Sequence, residues 1–195
     1  SPFFSLTELA REKFPALTSD VELVDSHVNG IAGVTCRIAC PAPAGHVHRS
    51  VADIARMMDE STLSAAAREK ADAVWQVLAK AEASVHGASP DKVHFHEVGR
   101  TANVVAIGLI AELFTTLNPE GFFASAVPLG DGSVNCAHGA VPNPAPALFA
   151  MLDNVAVRGF TGIGEAVTPT GLAVLLGLGA TFRSEEHTSE LQSQR

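Results

Sequence analysis

The stretch VHFHEVG, residues 93–99, lies between a turn and a long apolar segment, and its pattern decides the local fold. If this stretch is extended, its side chains alternate, so His94 and His96 share one face and Phe95 takes the other. Two imidazoles on one face can bind a single divalent ion at about 2.0–2.1 Å. The alternative is a solvated pair of histidines at a strand end, and the local spacing alone leaves the two interpretations about even.

A second pair with the same spacing, Cys136 and His138, lies in a later glycine-rich segment and favours metal binding. Glu97 directly follows the first pair and is the candidate catalytic proton acceptor or additional ligand, provided that the chain twists to bring it to their face. His46 and His48 also alternate. They form either an accessory metal site or a solvated loop, and the loop is favoured.

Alternating hydrophobic patterns predict an α/β fold. Two β-like runs, residues 21–24 and 33–39, flank Asn29-Gly30, a pair that suits a tight reversal. Apolar residues at helical spacing predict helices over about 50–60, over 63–85 as one long helix, and over 104–117 as a buried helix. We therefore expect a small sheet, formed by the hairpin of residues 21–39 and strands near Val93 and Ala124–Leu129, covered by helices.

Two predicted helix starts lie near the glycine-rich loop. Asn143-Pro144 predicts a helix through Met151 with Asn143 as its cap, and Thr168-Pro169 repeats that design for the helix over 172–178. Free backbone N–H groups at such starts attract anions. Every helix needs a start, however, and a cap alone carries no function. The candidates for binding a phosphate or carboxylate group of a bound molecule are Gly130, Asn143, Thr168 and Thr170.

The composition excludes several classes of partner. The 195 residues carry a formal charge of −8, from 13 basic and 21 acidic side chains. An acidic chain without basic runs argues against nucleic acid as the main partner. No apolar run approaches the roughly 18 residues that indicate a membrane span. Three cysteines, an odd number, favour the reducing cytoplasm over a disulfide framework.

Residues 183–195 are expected to be a foreign tail. From Arg183 onwards, the sequence is what a widely used sequencing adapter encodes when it is translated. We therefore expect residues 1–182 to be a fragment of the natural protein and residues 183–195 to make no packed contact with it. The chain begins at Ser1 rather than methionine, so its start is expected to be cut as well.

Three motifs together resemble the nickel insertion protein of nickel-pincer cofactor biosynthesis, the LarC family. They are VHFHEVG at 93–99, PLGDGSVNCAHGAVPNPAPA at 128–147 and GEAVTPTGLAVL at 164–175, in the family's order and spacing. The likeness runs from about residue 22 to residue 182. No single motif is specific, but the three in this order are.

The resemblance implies that Ni²⁺ is inserted into a dithiocarboxylated pyridinium mononucleotide, with coupled hydrolysis of CTP, by a lyase-type enzyme. The product is the nickel-pincer cofactor of lactate racemase-type enzymes. The implied partners are therefore the mononucleotide and the enzyme that receives the cofactor. Association with a second copy of the chain, as a homo-oligomer, stays open. The resemblance also implies that CTP and Mg²⁺ or Mn²⁺ bind to a carboxy-terminal domain outside this sequence, so the fragment alone is expected to be inactive.

One departure from the family pattern affects the site. After HFHEVG the family usually has acidic residues in the first turns of the next helix, whereas Ala102 and Ala106 stand at the matching positions here. Positions four apart share a helix face, so both changes fall on the same surface. If the missing carboxylates bind Mg²⁺ or orient the histidines, metal transfer is impaired. If they only cap the helix, little changes.

Two other functions stay open. A non-enzymatic chaperone or store for nickel or another divalent metal needs the same exposed ligands. It differs from an insertase because a pyridinium mononucleotide would not change its affinity for nickel. A metal-dependent hydrolase would activate a bound water with the histidine and glutamate side chains. The chain has no evident aspartate cluster, so the hydrolase is the least favoured.

Overall fold

The computed structural model describes residues 5–17, 20–41, 48–96, 98–136, 139–161 and 165–183. Its helices are α1 (Leu6–Lys13), α2 (Val51–Asp59), α3 (Ala65–His86), α4 (Thr101–Leu117), α5 (Pro146–Phe149) and α6 (Pro169–Gly177), with a 3₁₀ turn at Pro90–Lys92. Its strands are β1 (Asp20–Val28), β2 (Ile31–Ala39), β3 (Arg49–Ser50), β4 (His94–Phe95), β5 (Phe123–Ser125), β6 (Val127–Leu129), β7 (Ser133–Cys136), β8 (Gly139–Pro142), β9 (Val157–Gly159) and β10 (Thr181–Arg183). The predicted α/β class is confirmed.

The long helix α3 lies at the centre of the hydrophobic core. Ala71, Val74 and Leu78 recur on one face at helical spacing and are buried, and this helix packs against α4 and α6. Ser64 caps its start by accepting the N–H of Ala67 at 3.3 Å. Gly87 ends it in the left-handed conformation, with φ of 61°, which glycine adopts without steric cost. The prediction of one long helix near residues 63–85 is confirmed.

The neighbouring helices show what patterning can and cannot predict. A reciprocal cap starts α2, because the Ser50 hydroxyl accepts the Asp53 N–H while the Asp53 carboxylate accepts the Ser50 N–H. The predicted burial of α4 holds for one side only, since Ile110 and Leu117 are 41% and 74% exposed. None of the described helices has the length and apolar character needed to cross a membrane.

The strands form separate pairs instead of the single small sheet that the sequence predicts. β1 and β2 form an antiparallel hairpin of their own, with Asn29 and Gly30 at positive φ in the predicted reversal. β3 pairs with β4, and β7 with β8, both antiparallel. The predicted strand Ala124–Leu129 is two strands, because β5 pairs with β10 and β6 with β9. Side-chain alternation predicts strands but not their partners, so this part of the prediction was wrong.

Asn143 does not cap a helix. Its N–H donates to the Gly132 carbonyl at 3.0 Å, and its side-chain amide donates to the Asp131 carbonyl at 3.2 Å. These bonds hold Asn143 at the base of the β7–β8 hairpin, and the Asn143–Pro144 peptide is cis. The helix therefore starts later, at Pro146, and α5 has only 4 residues. The predicted cap at Thr168 is confirmed, since its hydroxyl accepts the Gly171 N–H at 3.1 Å.

Strand β10 includes Arg183, the first residue of the expected foreign tail. Arg183 is in register with Ser125 of β5, and its guanidinium lies 3.7 Å from the centre of the Phe123 ring. The expectation that the tail makes no packed contact is therefore wrong at this residue. Parallel pairing uses backbone groups, which any residue supplies. Residues 184–195 lie outside the described part of the chain.

Candidate functional site

Phe95 fixes the VHFHEVG segment to the core. Its side chain is fully buried, and its ring lies 5.4 Å from the ring of Trp75 on α3. Its backbone pairs with Arg49 in the β3–β4 ladder. Gly99 is also buried, and a Cβ at this position would come within 2.8 Å of the Phe95 Cβ. The segment can therefore turn tightly after β4 because glycine stands at its end.

The structure brings His96 against two histidines from other elements. The ring centres of His48 and His96 are 4.6 Å apart, in an edge-to-face arrangement, and those of His86 and His96 are 6.0 Å apart. His48 directly precedes β3, and His86 is the last residue of α3. We call His48, His86 and His96 the histidine cluster. Of these three histidines, the sequence predicted His96 as a primary metal ligand and His48 as an accessory one, and it did not predict His86.

A carboxylate adjoins the histidine cluster. One turn before His86 on α3, the Glu82 carboxylate lies 3.4 Å from Nε2 of His86. Glu82 is mostly buried, with 15% of its side chain exposed, whereas 35% of the His86 side chain is exposed. A carboxylate that holds one ring nitrogen orients the imidazole and makes its other nitrogen a better metal ligand. Here that nitrogen is Nδ1.

Arg49 supports the turn that follows His96. Its guanidinium donates to the Gly99 carbonyl and, at 2.9 Å, to the Thr101 hydroxyl at the start of α4. Burial lowers the pKa of Arg49, while the nearby Asp53 and Cys40 act in the opposite direction. The side-chain amide of Asn103 adds a bond to the Val98 carbonyl at 3.1 Å. Sequence patterning missed both residues, because neither belongs to a metal-ligand motif.

The remaining predicted metal ligands are described only in part. His94 is exposed and, in the described part of the chain, makes no ring contact with another histidine. Glu97, His138 and the side chain of Cys136 lie outside the described residues. A shared cleft between the two predicted pairs therefore stays a prediction. Within the described ranges, no group of three histidine, cysteine, aspartate or glutamate side chains is already arranged to hold a metal ion.

The predicted anion-binding residues separate into different settings. Thr168 and Thr170 lie at the capped start of α6, where free N–H groups are available. Gly130 precedes β7, and Asn143 is committed to that hairpin by its two bonds to carbonyl groups. Only the start of α6 therefore keeps the arrangement that the sequence predicted. Ala102 and Ala106, at the positions of the expected aspartates, are half-buried in the first turns of α4.

Comparison with known proteins identifies relatives over most of the chain. The sequence model of a family described as nickel insertion protein matches residues 6–193. Curated proteins provisionally named as nickel insertion proteins are 40% identical in Geotalea daltonii and 38% identical in Geobacter metallireducens, each over 179 residues. These alignments cover 91% and 92% of this chain but 45% and 46% of the relatives. A Myxococcus xanthus relative is 43% identical over 148 residues, 75% of this chain and 38% of its own. No solved structure matches the chain.

Proposed function

Because the chain belongs to the nickel insertion protein family, we propose that it binds Ni²⁺ through the histidine cluster and helps to deliver the ion to a pyridinium mononucleotide. The chain spans about 45% of the length of curated relatives that it matches. The complete reaction is therefore a proposal for the whole protein, of which this chain supplies one part.

The proposal rests on the contact of His96 with His48 and His86. Three separate elements contribute one imidazole each, at ring distances of 4.6 and 6.0 Å from His96. Imidazole nitrogen is a suitable donor for Ni²⁺, which binds nitrogen ligands more strongly than most divalent first-row metals do. The family's name gives the metal, and the cluster gives a set of donors that suits it.

The cluster is a loading site rather than a closed cage. Its rings pack edge-to-face or tilted, so a shared ion requires rotation of the side chains until their nitrogens lie about 2.0–2.1 Å from it. His48 and His86 are exposed at the surface, which allows that rotation. The same exposure favours release of the ion to an acceptor. Protons leave the imidazoles when nickel binds, because only the neutral ring coordinates.

Other predicted residues have roles in the transfer step. We assign His94, Cys136 and His138 as further ligands that could accept or pass on the ion, and Glu97 as the proton acceptor. We place an anionic group of the mononucleotide at the start of α6, near Thr168 and Thr170, because backbone N–H groups and the helix dipole attract anions. A cytoplasmic location and an enzyme that receives the cofactor are parts of the same proposal.

The residues described here do not form a site for Mg²⁺ or Mn²⁺, and the resemblance places CTP on a carboxy-terminal domain outside this sequence. These metals prefer clustered oxygen ligands, and within the described ranges no group of carboxylates is arranged to hold a metal ion. The two alanines of α4 remove carboxylates that the resemblance implies at this surface. No step of the proposal is therefore routed through CTP in this chain.

Nickel titration by calorimetry tests the proposal. The purified 195-residue chain is titrated with NiCl₂, alone and as the H48A/H86A/H96A variant. We expect the triple change to remove most of the binding and the proton release that accompanies it. The matched control is His27→Ala, which removes a histidine from the β1–β2 hairpin. Equal nickel affinity in the triple variant and the unchanged chain would show that the cluster is structural.

A second titration distinguishes an insertase from a chaperone or store. The chain is saturated with the pyridinium mononucleotide before NiCl₂ is added. An acceptor that shares the metal changes the apparent nickel affinity, because binding of one molecule is then coupled to binding of the other. An affinity that the mononucleotide leaves unchanged would instead support a store that does not contact the acceptor.

A further inference from the structure

A pocket lies next to the segment that carries His96. Its volume is about 430 Å³, within the 300–1,000 Å³ range that is usual for small-molecule sites. Its walls come from α2, α3, the 3₁₀ turn and β4. Phe95 lines the pocket, whereas the next residue, His96, contacts His48 and His86. The pocket and the cluster are therefore neighbouring but different sites.

The floor of the pocket is apolar and aromatic. Trp75 and Phe95 contribute rings whose centres are 5.4 Å apart, and Val51, Ile54 and Ala79 surround them. Trp75 is 95% buried, since only 5% of it is exposed. Its indole N–H has no hydrogen-bond partner in the described part of the chain. Because Phe95 is fully buried and Trp75 nearly so, a bound molecule contacts an apolar lining rather than an open aromatic face, and such a lining favours a small ring compound.

The rim of the pocket carries charges of both signs. Arg68 is already neutralised, because its guanidinium lies 2.9 Å from Asp59 and 2.9 Å from Asp72. Lys80 and Asp91 also line the rim, and within the described residues neither takes part in an ion pair. One positive and one negative group therefore remain available to a bound molecule.

We propose that this pocket binds a small aromatic compound that carries one positive and one negative group. The ring lies in the apolar part of the pocket beside Trp75, the anionic group faces Lys80, and the cationic group faces Asp91. Each charged group of the compound forms a charge-assisted hydrogen bond, which is stronger than a neutral one.

Three small compounds with the same ring test the charge requirement. They are 4-(aminomethyl)benzoate, which carries both charges, benzoate, which is anionic, and benzylamine, which is cationic at neutral pH. The chain has 1 tryptophan and 0 tyrosines. Fluorescence excited at the long-wavelength edge of the indole absorption band therefore comes from Trp75 alone. We expect a saturable change with 4-(aminomethyl)benzoate and about tenfold weaker binding of each single-charge compound.

Single substitutions assign each charge. Lys80→Met should lower the affinity for 4-(aminomethyl)benzoate to about that of the unchanged chain for benzylamine. Asp91→Asn should lower it to about that of the unchanged chain for benzoate. Equal affinity for all three compounds, or a fluorescence change that never saturates, would overturn the proposal. Both rim residues are exposed, so these substitutions leave the core intact.

A matched pair of substitutions on α2 tests the position of the site. Ala55 lines the pocket, whereas Ala52 lies on the same helix outside its wall. Both alanines are exposed. Ala55→Leu should block 4-(aminomethyl)benzoate, and Ala52→Leu should leave its affinity unchanged, with similar unfolding midpoints for the two variants. Loss of binding in neither variant, or in both, would place the compound elsewhere and overturn the proposal.

Discussion

At the scale of single residues, the carboxylate of Asp53 makes the stability of the start of α2 depend on pH. The Ser50 hydroxyl and N–H donate to its carboxylate at 2.7 and 3.0 Å and hold the pKa of Asp53 below its usual value. A lowered folded-state pKa means that the charged form stabilises the fold above the unfolded-state pKa of about 3.9. This contribution is lost as the pH falls through the lower, folded-state pKa.

We therefore expect Asp53→Asn to lower the free energy of unfolding near neutral pH and to have a smaller effect under acidic conditions. Urea denaturation across the acidic range measures the difference between the two proteins. In a Ser50→Ala background the pH-dependent part of this difference should shrink, because the donors to Asp53 are reduced. A difference that is the same at every pH would contradict the role assigned to this carboxylate.

The side chain of Phe14 packs on Gly108 and leaves no room there for a Cβ atom. A Cβ at this position of α4 would lie 2.2 Å from the Phe14 ring, and Phe14 is fully buried. Alanine usually stabilises a helix by about 1 kcal/mol relative to glycine, but overpacking costs about 1–3 kcal/mol. We expect Gly108→Ala to lower the free energy of unfolding in urea. Gly33→Ala is the control, since a Cβ there meets nothing within 4 Å. Stabilisation by Gly108→Ala would show that Phe14 moves aside freely.

At the scale of elements, local signals were sufficient for three of the described helices. Apolar spacing and the caps at Ser50, Ser64 and Thr168 fix α2, α3 and α6 because these signals act within a few residues. Strand partners depend on contacts far along the chain, so β5 and β6 could not be assigned to different partners from their own sequence. Asn143 misled the prediction for the same reason, since its hydrogen bonds go back to residues 131 and 132.

The β1–β2 hairpin is packed at its base and exposed beyond it. Val21 is 4% exposed, whereas Leu23, on the same face, is 61% exposed. A two-stranded hairpin contributes little stability where it does not pack on other elements. We expect Val21→Ala to cost roughly 1–3 kcal/mol and Leu23→Ala less than about 0.5 kcal/mol, measured by urea denaturation. A larger loss for Leu23, although its face is exposed, would mean that this face is covered in solution.

At the scale of the whole molecule, the sequence singled out one segment of the candidate site but not the residues that lie against it. VHFHEVG contains both His96 and the buried Phe95. The sequence does not indicate His86 as a ligand, because its approach to His96 depends on how the chain reverses through the 3₁₀ turn. Arg49 was missed because its contacts to Gly99 and Thr101 join residues about 50 positions apart.

We propose that nickel binds where His96 meets His86 and His48, and a comparison of two variants tests this claim. Sequence spacing places His94 beside His96, whereas the ring contacts place His86 there. Calorimetric titration of NiCl₂ into His86→Ala and His94→Ala therefore separates the two. We predict a clearly larger loss of nickel affinity for His86→Ala. A larger loss for His94→Ala, with His86→Ala unchanged from the parent chain, would contradict the claim.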